Sequence, residues 1–240
     1  MSMGTVNASQ VRALGRFASA QTVSDVIALA LEEAPAITYG NAVGVYLFER
    51  GGVDVHSIGA SEQAISKYLS LPPGSDMLVA RMQEINLPVH EQSIFAPDEW
   101  RSQPLYECVA GPFGFEHYLV APLIGRGEIV GALTLARGKG EPAFTQADLT
   151  ATAMTTAYLS VALAYSRQCE TSILVSLSQL TEREKQISVF VAKGLGNLEV
   201  ARELGISENT VKKHLKSVFS KLGVSRRTEL AWLATLGGLA

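Results

Sequence analysis

The chain has 240 residues, of which 47% are hydrophobic and 18% are charged, and its formal net charge is −3. This length allows two domains, and the apolar content excludes an intrinsically disordered chain. The charge is uneven: residues 180–240 carry ten Lys/Arg against six Asp/Glu, whereas residues 1–179 carry ten against seventeen. Only the C-terminal quarter therefore suits a polyanion such as nucleic acid.

The cysteines and the apolar runs bear on the location of the protein. Cys108 and Cys169 have no C-x-x-C partner, and no signal-peptide pattern is present, which predicts a reducing, cytoplasmic environment. The most apolar stretch, residues 149–165, is interrupted by Thr152, Thr155, Thr156 and Ser160, and is shorter than the ~20 residues of a membrane helix. We expect no membrane partner.

Catalytic motifs are missing from the sequence. His56, His90 and His117 are too far apart for an H-E-x-x-H zinc site, and neither a G-x-S-x-G elbow nor a G-x-x-x-x-G-K-[ST] phosphate loop occurs. The sequence therefore predicts a protein that is not an enzyme, with no catalytic residues, no metal site and no evident cofactor.

The first predicted elements are a helix and a hairpin. Residues 11–34 have the apolar spacing of an amphipathic helix, which we expect to break near Gln21 and Thr22. Residues 42–49 (AVGVYLFE) and 53–58 are rich in β-branched and aromatic residues and flank a pair of glycines, a pattern that predicts an antiparallel hairpin.

Helices and a long loop follow. Residues 61–71 and 75–85 have helical spacing and are separated by a Pro-Pro-Gly sequence. Residues 86–114 are rich in loop formers, with a short helix predicted over residues 98–108.

The second hairpin has the clearer signal. Residues 118–124 (YLVAPLI) and 128–136 (EIVGALTLA) flank Gly-Arg-Gly, a three-residue turn with glycine where a bulge needs it. Thr145 then caps an Ala-rich helix that we expect to reach about Arg167. The order of elements predicts an α+β domain in which helices pack on an antiparallel sheet.

The segment from Phe115 to Ala136 (FEHYLVAPLIGRGEIVGALTLA) resembles the GAF family of sensory domains. The resemblance covers residues 8–167 and implies a pocket between sheet and helices that takes small ligands, chromophores or metal centres. The N-K-x-F-x-x-x-D-E pattern of cyclic-nucleotide binders is absent, and Cys108 is followed by Val109 rather than by the histidine of a bilin site.

A competing resemblance is to the autoinducer-binding domain of quorum-sensing regulators, which is also an α+β sandwich. Its pattern of Trp, Tyr and Asp-Pro before a second Trp is not matched: Tyr68 and Asp76 are present, but Asp76 precedes Met77, and Trp100 is the only tryptophan of the region. A phosphorylated receiver is disfavoured, since its parallel-strand pattern and acidic pair are absent.

A ligand pocket in this domain should be apolar with a few polar anchors. Aromatic and histidine side chains on or beside the strands are the candidates, although each type is also typical of a plain core. These candidate ligand-binding residues are Tyr46, Phe48, His56, Trp100, Tyr106, Phe113, Phe115 and Tyr118.

Residues 168–179 form a predicted linker. Ile173, Leu174, Leu177 and Leu180 recur at helical spacing, which predicts either an extension of the preceding helix or a short dimer seam.

The last 61 residues (180–240) have the punctuation of a helix-turn-helix. The T-x-x-E sequence at Thr181 has the form of a capping box and predicts a helix that ends at Gly194. We expect Asn197 to cap a second helix over residues 198–204, after which Gly205 provides a left-handed turn.

The third helix, capped by Ser207, indicates the function. Its inner face has apolar residues at steps of four, three and four: Val211, Leu215, Val218 and Leu222. Its outer face, near the helix start, carries Asn209, Lys212, Lys213 and Lys216. A basic face at this position is typical of a recognition helix in the major groove.

This region is similar to the LuxR-type DNA-binding domain, with matches in Leu180-Thr181-x-Arg183-Glu184, Gly194, Ala201, Leu204-x-Ile206-Ser207, Thr210-Val211-Lys212-x-His214 and Lys221-Leu222-x-Val224. The resemblance implies a four-helix module whose third helix enters the major groove and whose fourth commonly forms the dimer contact. It implies groove contacts by Lys212, Lys213 and Lys216 and phosphate contacts by Ser207, Thr210 and Arg227. His214 lies at the edge of the inward face, and we expect it to pack there or to form a backbone hydrogen bond rather than to bind a metal.

The sequence thus predicts a GAF-like sensory domain (8–167), a helical linker (168–179) and an all-α DNA-binding domain (180–240). The expected function is a sequence-specific transcriptional regulator controlled by a small molecule or another signal. Its expected partners are double-stranded DNA, a second copy, an effector and, for an activator, RNA polymerase. Two alternatives are an acyl-homoserine-lactone receptor and a ligand-binding or interaction module without sequence-specific DNA binding.

Overall fold

A computed structural model describes residues 15–17, 19–38, 40–49 and 52–239. The chain divides into two compact units, Met1–Tyr165 and Ser166–Ala240. Parts of the first predicted helix and of the Gly51-Gly52 turn lie outside the described residues. Among the described residues, no helix is long and apolar enough to cross a membrane.

In the first unit, residues 15–17 are helical and α1 spans Val23–Thr38; between them, a turn at residue 19 and a bend at residue 22 lie where the sequence predicts a helix break. The hairpin β1 (Ala42–Glu49) and β2 (Gly52–Ile58) follows, then α2 (Glu62–Leu69) and α3 (Met77–Ile85). These elements agree with the sequence-based predictions.

The connection that follows is more structured than predicted. It contains a two-residue strand β3 (Val89–His90), a short helix α4 (Pro97–Arg101) and a wide helical turn over Tyr106–Ala110. The single helix predicted over residues 98–108 is therefore wrong. Pro104 explains the break, because proline has no N–H to donate and disfavours helical geometry at the preceding residue.

The second hairpin, β4 (Phe115–Gly125) and β5 (Glu128–Gly138), completes an antiparallel five-stranded sheet in the order β2-β1-β5-β4-β3. Arg126 and Gly127, with φ of 56° and 82°, form the left-handed part of the turn. The sheet and its helices confirm the predicted α+β class.

Alternate strand residues face opposite sides of the sheet. Val43, Val45 and Leu47 point to one core, shared with α1 and with α5 (Gln146–Ser178). Tyr118, Val120 and residues of α3 and α4 form a second core on the other face. Helices therefore cover both faces of the sheet, and the second core contains the cavity described below.

The helix α5 contains the polar residues that argued against a membrane span. Thr152, Thr155 and Ser160 are buried, and each donates its hydroxyl to the carbonyl oxygen four residues earlier, at 2.6–2.9 Å. Ser160 Oγ also accepts the N–H of Ile124 at 2.9 Å and so joins α5 to β4. The hydroxyls of these buried side chains are satisfied within the fold.

The second unit contains the end of α5, then α6 (Glu182–Ala192), α7 (Asn197–Leu204), α8 (Glu208–Leu222) and α9 (Arg227–Leu236). The predicted linker continues α5 as far as Ser178, and this helix extension is one of the two alternatives that the sequence left open. Leu177 and Leu180 lie in the core of this unit, with Ile173 packed against it. Leu174 and Val175 are more than half exposed.

One predicted cap is wrong. Gly196, not Asn197, is the N-cap of α7, because the Glu199 carboxylate accepts the Gly196 N–H at 2.6 Å. Asn197 is the first helical residue, and its Oδ1 accepts a hydrogen bond from Arg227 at 3.0 Å.

Candidate DNA-contact helix and ligand cavity

The turn between α7 and α8 has the backbone that its sequence predicts. Gly205 adopts φ 62°, a left-handed conformation that glycine reaches without a steric penalty. Ser207 is the N-cap of α8, and its Oγ accepts the Thr210 N–H at 3.1 Å. The Ser207 and Thr210 hydroxyls also lie 2.8 Å apart. Two of the three candidate phosphate contacts, Ser207 and Thr210, are thus at the start of α8.

The inner face of α8 holds the helix in place. Val211 and Val218 are fully buried and Leu215 is 6% exposed, in a core shared with α6, α7 and α9. Leu222 is partly buried against the same core, and His214 is half-buried. The predicted inward stripe is confirmed.

The outer face of α8 is basic and exposed. Asn209, Lys212, Lys213 and Lys216 are all exposed to solvent. Lys212 Nζ lies 2.7 Å from Glu208 Oε1, an exposed pair one helical turn apart. Within the described part of the chain, Lys213 and Lys216 form no salt bridge, so their ammonium groups face solvent without a fixed counter-ion.

Arg227 has an intramolecular role at the start of α9. Its guanidinium donates to the backbone carbonyl of Leu195 and to Asn197 Oδ1. Burial lowers the pKa of this guanidinium. These contacts join α9 to the loop before α7, and the neighbouring Arg226 has the more exposed side chain, at 80%. The predicted phosphate contact of Arg227 stays a prediction.

An ion pair fixes the C-terminal half of α8 against α6. The buried Glu184 carboxylate accepts Lys221 Nζ at 2.7 Å and the Thr181 N–H at 2.8 Å. Burial opposes ionisation of Glu184, but the hydrogen bonds from Lys221, Thr181 and Ser217 outweigh it and lower the pKa to about 2. The capping-box residue therefore also positions α8.

The first unit contains a partly enclosed cavity between the sheet and α2 and α3. The space open to the centres of water-sized molecules is about 40 Å³. Its described lining is mostly apolar and aromatic: Tyr46, Ala60, Ala64, Ile65, Tyr68, Asp76, Leu78, Leu105, Val109, Phe115, Tyr118, Val120 and Thr134. Such a lining, with few polar groups, is typical of small-molecule sites.

Three of the eight predicted ligand-binding residues line this cavity: Tyr46, Phe115 and Tyr118. Trp100 is buried beside it, with its ring centroid 6.1 Å from that of Tyr118 and its Nε1 donating to the Glu116 carbonyl at 2.9 Å. Tyr106 stacks edge-on against Trp100 and donates its hydroxyl to Glu116.

The other three predicted residues are farther from the cavity lining. Phe48 and Phe113 are partly buried against the second core. His56 lies on the outer strand β2, where its Nε2 is 2.8 Å from Asp54 Oδ2.

Tyr68 and Asp76 are two of the ten described lining residues that the sequence did not predict as ligand contacts. Asp76 is the N-cap of α3, and its Oδ1 accepts the N–H groups of Leu78 and Val79, both at 3.0 Å. Its Oδ2 accepts the Tyr68 hydroxyl at 3.1 Å. An aspartate ahead of an apolar helical run signals a cap, but its proximity to a cavity follows neither from spacing nor from periodicity.

Burial has the largest effect on the pKa values of Asp76 and the three tyrosines that line the cavity. It raises the pKa of Asp76, against the hydrogen bonds from Val79, Tyr68 and Leu78. It also raises the pKa of Tyr46 to about 12, with a smaller contribution from the Asp76 charge. Burial is also the main cause that raises the pKa values of Tyr68 and Tyr118, with smaller contributions from the charges of Asp76 and Tyr46. The three tyrosines are therefore neutral donors at physiological pH.

The described residues contain no group of three or more His, Cys, Asp or Glu that could hold a metal ion.

The model of the GAF domain matches residues 22–163, and the model described as bacterial regulatory proteins, luxR family, matches residues 178–234. The chain belongs to the GAF domain family and ends in a luxR-family domain. The GAF match spans more than half of the chain and contains the sheet and the cavity, whereas the luxR-family match contains α6 to α9.

Curated relatives resemble the luxR-family domain. The chain is 51% identical over 51 residues to the probable transcriptional regulatory protein SgaR of Hyphomicrobium methylovorum, covering 21% of this chain and 24% of that protein. It is 44% identical over 62 residues to the transcriptional regulatory protein YdfI of Bacillus subtilis, covering 26% and 29%. The chain spans only about a quarter of the length of these relatives.

Among solved structures, the GAF domain of an Acinetobacter phosphoenolpyruvate-protein phosphotransferase is similar in fold. It has a TM-score of 0.53 and 14% identity, and the match covers 70% of this chain and 97% of that one. This likeness supports the architecture of the GAF domain alone.

Proposed function

We propose that this chain is a sequence-specific DNA-binding transcriptional regulator whose GAF domain responds to a small molecule. The main support is the exposed basic face of α8, the second helix of a well-formed helix-turn-helix. Among the described residues, Lys213 and Lys216 on this face form no salt bridge. A helix presented in this way can place its first turns in the major groove.

The charge distribution supports the assignment of DNA binding to the second unit. Residues 180–240 carry an excess of four positive charges, whereas the rest of the chain has an excess of seven negative charges. Phosphate affinity should therefore come from the luxR-family domain, and the acidic GAF domain should add little.

A second copy and an effector complete the proposal. Two recognition helices must reach successive major grooves about 34 Å apart, which requires a dimer. The small volume of the GAF cavity favours a compact effector over an acyl-homoserine lactone with its long chain, because each water-sized molecule takes about 10–15 Å³ by the same measure. If the protein activates transcription, RNA polymerase is a further partner.

The test is selection of bound fragments from a random DNA pool by the full-length protein, followed by gel shifts with the enriched sequence and a scrambled duplex of equal composition. We expect a preference of about 10³-fold or more for the enriched sequence at physiological salt. Equal binding to both duplexes would favour the alternative, a ligand-binding module without sequence-specific DNA binding.

A further inference from the structure

The GAF cavity combines a buried carboxylate with aromatic walls. Tyr46 on β1, Tyr118 on β4 and Tyr68 on α2 line it together with Asp76. The rings of Tyr46 and Tyr68 meet edge-on at 5.3 Å between centroids, and those of Phe115 and Tyr118 do so at 6.0 Å.

The carboxylate of Asp76 has no positive partner in the cavity. None of the described residues that line the cavity is Lys, Arg or His. Its hydrogen bonds come from two backbone amides and one phenol, all of them neutral donors. Because a buried charge is stabilised best by an opposite charge with good hydrogen-bond geometry, a cation is the complementary ligand.

The hydrogen-bond inventory leaves room for that cation. Oδ1 of Asp76 accepts both helix amides, whereas Oδ2 accepts only the Tyr68 hydroxyl among the described donors, although a carboxylate oxygen can accept about two hydrogen bonds. The hydroxyls of Tyr46 and Tyr118 make no hydrogen bond to another described residue.

The aromatic walls favour a cation over a neutral donor. Tyrosine rings attract ammonium groups through their faces, and the attraction grows when the cation is removed from water. The volume of about 40 Å³ corresponds to about three water-sized volumes, so the head group and a short apolar chain fill it.

We infer that the GAF cavity binds a small protonated alkylamine, whose ammonium group pairs with Asp76 and whose carbon chain lies among the rings of Tyr46, Tyr68 and Tyr118. The inference deepens the proposed function and rests on it only for the role of the ligand as effector. Binding itself requires no DNA.

The experiment is isothermal titration of the full-length protein with three probes of similar skeleton and different charge: propylamine, 1-propanol and propanoate. Propylamine should bind saturably in the millimolar range or tighter, propanol about tenfold or more weakly, and propanoate not at all. Ethylamine, butylamine and hexylamine give the length series, and affinity should fall for the longest chain because the cavity is small.

Asp76→Asn is the decisive variant. Asparagine is as good an N-cap as aspartate, so α3 keeps its cap while the charge is lost. We expect propylamine affinity to fall about tenfold or more, with the thermal unfolding of the GAF domain near that of the wild type. Asp54→Asn, an exposed aspartate on β2 outside the cavity lining, is the matched control and should bind like the wild type.

If Asp76→Asn does not fold, Tyr68→Phe takes its place, since it removes the one side-chain donor to Asp76 and keeps the ring. We expect a measurable loss of amine affinity, with little change for propanol. Propylamine that binds no better than propanol, that does not bind at all, or that binds undiminished to the folded variants would overturn the inference.

Gel shifts on the same preparations separate this inference from the proposed function. If the protein binds the amine but shows no sequence preference on DNA, the ligand site is supported and the proposed regulatory function is contradicted. If the protein prefers one DNA sequence but does not bind the amine, the ligand site is contradicted and the proposed regulatory function is supported.

Discussion

The two units of this chain place their candidate sites in opposite ways. The luxR-family domain buries one face of α8 and exposes the other, so that the DNA contacts proposed for it are surface lysines a few residues apart in the chain. The GAF domain instead gathers Tyr46, Tyr68, Asp76 and Tyr118 from four elements around an interior cavity. A surface site on one helix follows from local periodicity, whereas an interior site depends on the whole fold.

The largest expected effect tests whether the two units keep separate cores. Ile187 is fully buried in the luxR-family domain, and Ile187→Ala should destabilise that domain by about 2 to 5 kcal/mol through lost burial and a residual cavity. Calorimetry of the full-length protein should show the transition of this domain shifted and that of the GAF domain unchanged.

Leu119→Ala is the reciprocal variant, since Leu119 is fully buried in the sheet core. It should shift only the GAF transition. Equal shifts of both transitions by either variant would mean that the units unfold as one cooperative body, against the comparison drawn above.

The second effect concerns the surface site. Lys216→Ala should weaken binding to the selected operator by about 1 to 3 kcal/mol if the ammonium reaches a base edge, and should reduce the salt slope by about one if it reaches phosphate. The measurement is a gel shift over a range of salt concentrations.

Lys139→Ala is the control for that experiment, because Lys139 is an exposed lysine of the GAF domain. It should leave operator affinity unchanged. Equal losses for both variants would indicate that net charge, rather than the face of α8, determines binding.

The contrast between the units also explains what the sequence could predict. Local signals predict the helices of the luxR-family domain, the inward stripe at Val211 and the caps at Thr181 and Ser207. The structure confirms these features. The cap at Asn197 was mispredicted because hydrogen bonds from or to two other side chains determine the geometry there. Glu199 satisfies the Gly196 N–H, and Arg227, thirty residues away, takes the Asn197 side chain.

The cavity shows the limit of local reasoning. Tyr46 and Tyr118 were accessible to prediction because aromatic residues on strands of a sandwich face either a core or a pocket. Tyr68 and Asp76 were not, since their proximity to the strands depends on how α2 and α3 pack on the sheet. The spacing of residues along the chain does not predict that packing.

The third effect is a pH dependence of the luxR-family domain. Glu184 has a pKa lowered to about 2 in the folded state, against 4.5 as its ordinary value. The stabilisation is therefore complete above about pH 5 and is lost as the pH falls toward 2. Glu184→Gln should cost about 1 to 3 kcal/mol at neutral pH and should flatten the stability profile between those limits.

Denaturant unfolding at a series of pH values measures this effect. Glu182→Gln is the control, because Glu182 lies at the start of the same helix but is exposed and pairs only with Lys185 among the described residues. A Glu184→Gln profile parallel to that of the wild type would show that the carboxylate does not hold α8 against α6.

The smallest effect concerns the turn that aims α8. Gly205→Ala should destabilise the luxR-family domain by about 1 kcal/mol, because alanine at φ 62° meets the steric penalty of left-handed backbone. Gly205→Asn is the matched control at the same position, since asparagine adopts left-handed backbone more readily than alanine does. If the turn sets the direction of the recognition helix, Gly205→Ala also weakens operator binding while amine binding by the GAF domain stays unchanged. Equal stability losses for the two glycine variants would show that the left-handed turn does not decide the geometry of the surface site.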